Sequence, residues 1–206
     1  MMRKLATLFL SSLLAMMAHT SQATDAVPAA DSAATVNWSV ADLMKLLAQQ
    51  KSRKATFVEK KYIAALEQPL ESSGELMFVA PDRLEKRTLK PKPESVTLEG
   101  DKLILERRNG RKMTLALSER PEVSGFVESM RATLLGNLSA LEQFYELSLD
   151  GSVEAWKLSL TPRQPQMLKI ISSIHIVGAR DFVETIEFQQ ADGDRSVMTI
   201  KDEGAL

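Results

Sequence analysis

From residue 55 onward the apolar side chains of this 206-residue chain return with a period of two, and turn signals punctuate them. Leu76, Phe78 and Ala80 alternate with Met77 and Val79, and Tyr145, Leu147 and Leu149 alternate with polar neighbours. Trp156, Leu158 and Leu160 alternate with Lys157 and Ser159, Ile174 and Ile176 flank His175, and Ile186 and Phe188 flank Glu187. Alternation of this kind puts one face of a strand on a core and the other in water. Hairpin turns are read at Glu99-Gly100-Asp101-Lys102, Arg108-Asn109-Gly110-Arg111, Asp150-Gly151 and Asp192-Gly193-Asp194. Asn-Gly is the strongest of these, because both turn residues tolerate positive φ. Pro91 and Pro93 argue against a central strand across residues 88–94.

Two stretches keep a helical period instead. Val40, Leu43, Met44 and Leu47 share one helix face. Ser39 and Asp42 stand in capping-box spacing, and Trp38 with Leu43 forms a hydrophobic-staple pair. Residues 49–54 read as the polar exit. Midway, Phe126, Val127, Met130 and Leu134 repeat at helical spacing, Gly136 interrupts them, and Ser139 with Glu142 reads as a second capping box. Residues 162–166 read as a Pro-rich loop. The expected class is mainly β (α+β). A long curved antiparallel sheet, or an unclosed half-barrel, wraps an N-terminal helix and carries short lid helices midway. Curvature requires an apolar concave face.

The first residues stand apart from this plan. Arg3 and Lys4 precede an almost wholly apolar stretch over residues 5–18, and Ser21-Gln22-Ala23 gives a small-x-small cleavage pattern. Residues 1–23 therefore read as a secretory signal peptide, 24–37 as a flexible leader rich in Ala, Asp, Ser and Thr, and 38–206 as one domain. Export points to the periplasm. The chain contains no Cys, which excludes a disulfide framework, thiolate chemistry and an acylated Cys anchor. With 26 Lys and Arg against 27 Asp and Glu, it lacks the basic balance of a nucleic-acid binder.

Residues 72–84, Ser-Ser-Gly-Glu-Leu-Met-Phe-Val-Ala-Pro-Asp-Arg-Leu, run as an apolar strand from a Gly to a Pro and then restart. This segment resembles the LolA-type periplasmic lipoprotein carriers, and the resemblance extends over about residues 40–202. The leading amphipathic helix, the helical insertion over 126–144 at the family's lid, and the late hairpin at Gln189-Gln190-Ala191-Asp192-Gly193-Asp194-Arg195-Ser196 add to it. Three departures stand out. The family usually places an Arg before this Pro, where it helps hold the lid, and here that position is Ala80. Leu84 and Lys86 stand where the family often has Phe and Trp. Leu103-Ile104-Leu105 replaces an aromatic-rich strand. The resemblance implies a divergent branch, of a kind found beside membrane-embedded lipid exporters and fatty-acid or polyketide synthesis systems. It further implies a monomeric carrier that shields an acylated lipid or lipoprotein cargo. Its partners would be an inner-membrane exporter and an outer-membrane acceptor.

The candidate ligand-binding positions follow. Leu76, Phe78, Ala80, Leu84, Val96 and Leu98 belong to the first strands. Phe126, Met130 and Leu134 belong to the lid, with Gly136 as its hinge. Trp156, Leu158, Ile174 and Ile176 belong to the later strands. The same residues read equally as an ordinary packed core. An adaptor or structural partner of a membrane exporter, gripping it with the same concave face, is the alternative function. No catalytic residue, metal ligand or cofactor is expected. His175 stands alone outside the signal peptide, and no Gly-x-Ser-x-Gly elbow or phosphate-binding Gly loop is present. Asp181, Asp192 and Asp194 lack the length and closing Glu of a calcium loop. The basic clusters at 51–54, 86–92 and 107–112 read either as solvated strand tips or as contacts for lipid phosphates or an acidic partner.

Overall fold

The computed structural model describes residues 38–119 and 121–204, and of residues 121–126 the backbone alone. The signal peptide and leader read at 1–23 and 24–37 lie outside the described residues. Helix α1 (Val40–Leu47) starts at the expected cap. The Asp42 N–H donates to Ser39 Oγ at 3.2 Å, and the Ser39 N–H donates to Asp42 Oδ2 at 3.4 Å, which closes the capping box. Its buried face is Leu43, Met44 and Leu47.

Six strands follow: β1 (Ser52–Tyr62), β2 (Leu70–Val79), β3 (Arg83–Lys90), β4 (Glu94–Glu99), β5 (Lys102–Arg107) and β6 (Lys112–Ala116). A 3₁₀ turn at Leu117–Glu119 leads to α2 (Pro121–Leu134) and α3 (Leu138–Phe144). The chain then returns through β7 (Tyr145–Ser152), β8 (Ala155–Pro162), α4 (Pro165–Leu168), β9 (Ile171–Ala179), β10 (Phe182–Gln190) and β11 (Arg195–Gly204). All eleven strands form one sheet in the order β6-β5-β4-β3-β2-β1-β11-β10-β9-β8-β7. Every pairing is antiparallel. The chain runs outward from β1 to one edge, crosses by α2 and α3 to the other edge, and comes back until β11 closes on β1. The sheet stays open, an unclosed half-barrel as expected.

Register fixes which side chains share the concave face. Phe57 pairs with Gly74 and with Ile200, and Phe78 pairs with Leu84, which pairs with Leu98. On the returning wing Ile186 pairs with Ile176, and Ile176 with Leu158. Gly74 explains the glycine of the 72–84 segment. A register irregularity beside it draws β3 so close that an added Cβ would collide with the Arg87 carbonyl oxygen.

Four readings are corrected. The turn after β7 lies at Val153 and Glu154, because Leu149 pairs with Leu158 and Ser152 with Ala155, so Asp150 and Gly151 remain in the strand. The cap of α3 is Asn137, whose Oδ1 accepts from the Ala140 N–H at 3.2 Å, while Ser139 donates to that same oxygen. Ser52, Arg53 and Lys54 belong to β1 rather than to a polar helix exit. The Pro-rich loop contains the helical turn α4, with Pro165 in its first turn.

Candidate functional site

Two apolar clusters occupy the concave face and do not merge. The larger packs Leu43, Met44 and Leu47 of α1 against Trp156, Leu158 and Leu160 of β8, with Leu141, Tyr145, Ile174 and Ile176. The smaller joins Leu98, Leu117 and Val127, with Leu84 and Leu103 against it. Between them lies a cavity of about 640 Å³. Protein interiors are normally filled to crystal-like density, so an unfilled apolar space between two cores is a property of the fold rather than slack in it.

The walls come from both wings. Leu76 and Phe78 of β2, Leu84 of β3, and Val96 and Leu98 of β4 form one side; Met130 and Leu134 of α2 form part of the roof. Ile174 and Ile176 of β9 line the other wing. These nine candidates are thus gathered on one space. Trp156 and Leu158 are buried in the larger core, outside the cavity lining. Trp156 Nε1 donates to the Arg180 carbonyl at 2.9 Å, which fixes the indole as a core anchor. Ala80 sits in the β2–β3 turn, where its N–H donates to the Lys51 carbonyl at 2.8 Å, and it too lies outside the lining. The Phe126 side chain lies outside the described residues.

Sequence reading missed a third group of lining residues: Ile186 and Phe188 of β10 and Met198 and Ile200 of β11. Their alternation was visible, but their place opposite β2 depends on β11 pairing with β1, a long-range closure that no local pattern encodes.

The lining is not wholly apolar. Glu59 of β1 is only 5% exposed, yet it borders the cavity with Lys61, Lys86 and Ser196. Lys86 Nζ donates to Glu59 Oε2 at 2.5 Å, and Ser196 Oγ donates to Oε1 at 2.6 Å. Burial works to raise the Glu59 pKa, but these two hydrogen bonds and the charges of Lys86 and Lys61 outweigh it and hold the carboxyl below its ordinary range. Lys86 also lies over the Phe57 ring, 4.8 Å from its centre. Elsewhere on the wall, Arg53 bridges Asp181 at 3.1 Å and Asp202 at 3.3 Å, and Gln50 donates to Asp181. Asp181 is therefore engaged in an ion pair. Among the described residues no group of three or more His, Cys, Asp or Glu is placed to hold a metal.

The roof is tied at two points. Arg131 of α2 donates from Nη2 to the Gly100 carbonyl at 2.5 Å and from Nη1 to Glu128 at 2.7 Å. Gly136, read as a hinge, has φ 64° and lies so close to α1 that a Cβ would strike the Met44 carbonyl oxygen. It is a packed corner between helices, not a free joint. Within the roof, Thr133 Oγ1 donates to the Ser129 carbonyl at 2.8 Å and Tyr145 donates to Ser129 Oγ at 3.3 Å.

An open antiparallel half-barrel, roofed by helices over an apolar trough, is the architecture these residues define. The chain belongs to the outer membrane lipoprotein carrier protein LolA-like family, whose sequence model matches residues 29–203. No curated protein matches the chain. Among solved structures, it is similar to a LolA superfamily protein from Nitrosomonas europaea, with 10% identity, 78% of this chain and 90% of that chain covered, and a TM-score of 0.44. It is similar also to a putative outer membrane lipoprotein-sorting protein domain from Vibrio parahaemolyticus, at 8% identity, with 81% and 92% covered and a TM-score of 0.47. A chain in the Pseudomonas aeruginosa MucA/MucB complex is 15% identical, with 81% of this chain but 58% of that chain covered, at a TM-score of 0.44.

Proposed function

We propose that this protein is a periplasmic carrier that takes the acyl chains of a lipid or lipoprotein into the cavity between its two cores and ferries them from the inner toward the outer membrane. The observation that carries this reading is the cavity itself, about 640 Å³ and walled by aliphatic and aromatic side chains from both wings of the sheet. That size falls within the range of small-molecule sites, about 300–1,000 Å³. Each methylene moved from water into such a space is worth about 0.8 kcal/mol, so one acyl chain supplies ample affinity. Met130 and Met198 give the walls side chains that adapt to chains of different shape. Residues 1–23 direct export and are removed, and the working domain begins near Trp38.

Family membership supports a binding and carrying role over a catalytic one, and no cofactor enters the scheme. Cargo would arrive from an inner-membrane exporter and leave to an outer-membrane acceptor. The deciding measurement is mass spectrometry of an organic extract from protein released gently from its native periplasm. A stoichiometric acylated lipid supports a non-lipoprotein carrier, and a triacylated lipoprotein supports the family's namesake role. An empty extract, repeated with the exporter present, would overturn carriage in favour of an adaptor that grips a membrane partner with the same face.

A further inference from the structure

Strand direction sorts the turns of this sheet into two ends. The connections after β1, β3, β5, β8 and β10 fall at one end, and those after β2, β4, β7 and β9 at the other. Seven of the ten exposed large apolar side chains among the described residues lie at the first end. Tyr62, Leu66 and Leu70 flank the β1–β2 connection, Leu168 and Ile170 follow β8, and Leu89 and Met113 stand beside the β3–β4 and β5–β6 turns. Solvent-exposed apolar groups scattered singly need no explanation, but their concentration at one end does.

Charge is concentrated there as well. The β3–β4 and β5–β6 tips carry Lys90, Lys92, Arg107, Arg108, Arg111 and Lys112 against Glu94 and Glu106, in a chain whose formal net charge is −1. All six cations are exposed. Lys112 pairs with Glu106 at 3.1 Å; the other five make no ion pair among the described residues. The tips are neighbours, since β4 pairs with both β3 and β5 and sets Thr88, Glu94 and Arg107 in one row. Leu89 is 47% exposed and Met113 48%, each beside these cations.

We propose that this end of the half-barrel docks on an anionic phospholipid surface, with Leu89 and Met113 entering the headgroup layer and the unpaired cations meeting phosphates. Single apolar side chains near the ends of separate strands, interspersed with Lys and Arg in excess over acidic groups, suit a broad anionic layered surface. Continuity with the cavity gives the docking a purpose, for which it rests on the carrier reading. Ile170 both lines the cavity and is 44% exposed in the β8–β9 connection, so the cavity lining reaches this end of the sheet.

The test is cosedimentation of the purified protein with vesicles of phosphatidylethanolamine and phosphatidylglycerol, compared with vesicles of phosphatidylcholine alone. Binding should require the anionic lipid and weaken as salt is raised. Lys92→Gln, Arg108→Gln and Arg111→Gln should each lower partitioning about fivefold, since one cation near an anionic surface contributes about that factor. Leu89→Ser with Met113→Ser should lower it too while keeping the salt response. These are exposed positions in turns or near strand ends, and an unchanged melting temperature verifies the fold. Equal partitioning to both vesicle types, or tip variants that bind like the parent, would overturn the proposal. Retention on immobilised polyglutamate without vesicle binding would also overturn it, in favour of an acidic protein partner. Leu84→Glu separates the two readings: it should lose uptake of a fluorescent fatty acid and keep vesicle binding. Vesicle binding by a parent protein that takes up no acyl chain would sink the carrier reading and leave the docking surface standing.

Discussion

The Arg131 guanidinium of α2 reaches the Gly100 carbonyl oxygen in the β4–β5 turn at 2.5 Å. This contact ties the roof of the cavity to the outgoing wing of the sheet. The family's usual Arg before Pro81 is absent, and Ala80 has no group that could replace it. The tie seen here runs from a cation on the roof helix to a turn of the sheet. Arg131→Met keeps the aliphatic stem and removes the donors. It should cost about 1.5–3 kcal/mol, the worth of a hydrogen bond from a charged group. Faster amide exchange should follow in α2 but not in β8, with faster release of a bound acyl chain. Uniform exchange in α2 across parent and variant would show that the tie does not govern the roof.

Gly136 supplies a second fixed point. Its φ of 64° is disfavoured for a residue with a Cβ, and the Met44 carbonyl oxygen occupies the space a Cβ would need. Gly136→Ala should destabilise the protein by at least about 1 kcal/mol, enough to lower the melting temperature by about 2–4 °C in a domain of this size. A free hinge would tolerate the change, and an unaltered melting curve would restore that view.

How much of this was legible before the structure depends on the range of the interaction. Local signals served well: Ser39 and Asp42 cap α1, Asn109-Gly110 makes a hairpin, and period-two runs became strands. Where two local signals competed, pairing decided. Asp150-Gly151 has turn chemistry, but Leu147 opposite Leu160 and Leu149 opposite Leu158 carry the strand past it. The cavity was half legible. Leu76, Phe78 and Leu84 read as concave-face residues because they alternate. Nothing local could tell that Trp156 and Leu158 are buried away from the cavity while Ile186 and Met198 border it. That distinction depends on where α1 packs across the sheet.

That same distinction gives a paired test. Leu158 is fully buried in the larger core, so Leu158→Ala should cost about 2–5 kcal/mol through lost packing. Ile186 lines the cavity, so Ile186→Trp has space to enter and should cost less than the 1–3 kcal/mol typical of overpacking. Acyl-chain uptake should respond in the reverse order, with Ile186→Trp losing capacity and Leu158→Ala retaining it wherever the protein remains folded. Denaturant melts and uptake titrations on the two variants measure both quantities. Parallel losses would mean that the space behaves as ordinary core.

Glu59 is placed to make the fold sensitive to acid. Burial opposes its ionisation, yet hydrogen bonds from Lys86 and Ser196, with the charges of Lys86 and Lys61, hold its pKa below the ordinary carboxylate value. A carboxyl whose pKa is lower in the folded state than in the unfolded chain stabilises the fold above the unfolded value, near 4.3 for Glu. That contribution disappears as pH falls through the folded value. The Glu59 contribution should therefore be constant from neutral pH down to about 5 and decline below the unfolded pKa of about 4.3. Glu59→Gln removes the titrating group and leaves the Lys86 ammonium without its carboxylate. It should lower stability at pH 7 by about 1–3 kcal/mol and flatten the decline below the unfolded pKa. Urea melts of both proteins across this range make the comparison. A decline of equal steepness in Glu59→Gln would show that Glu59 does not carry the acid sensitivity.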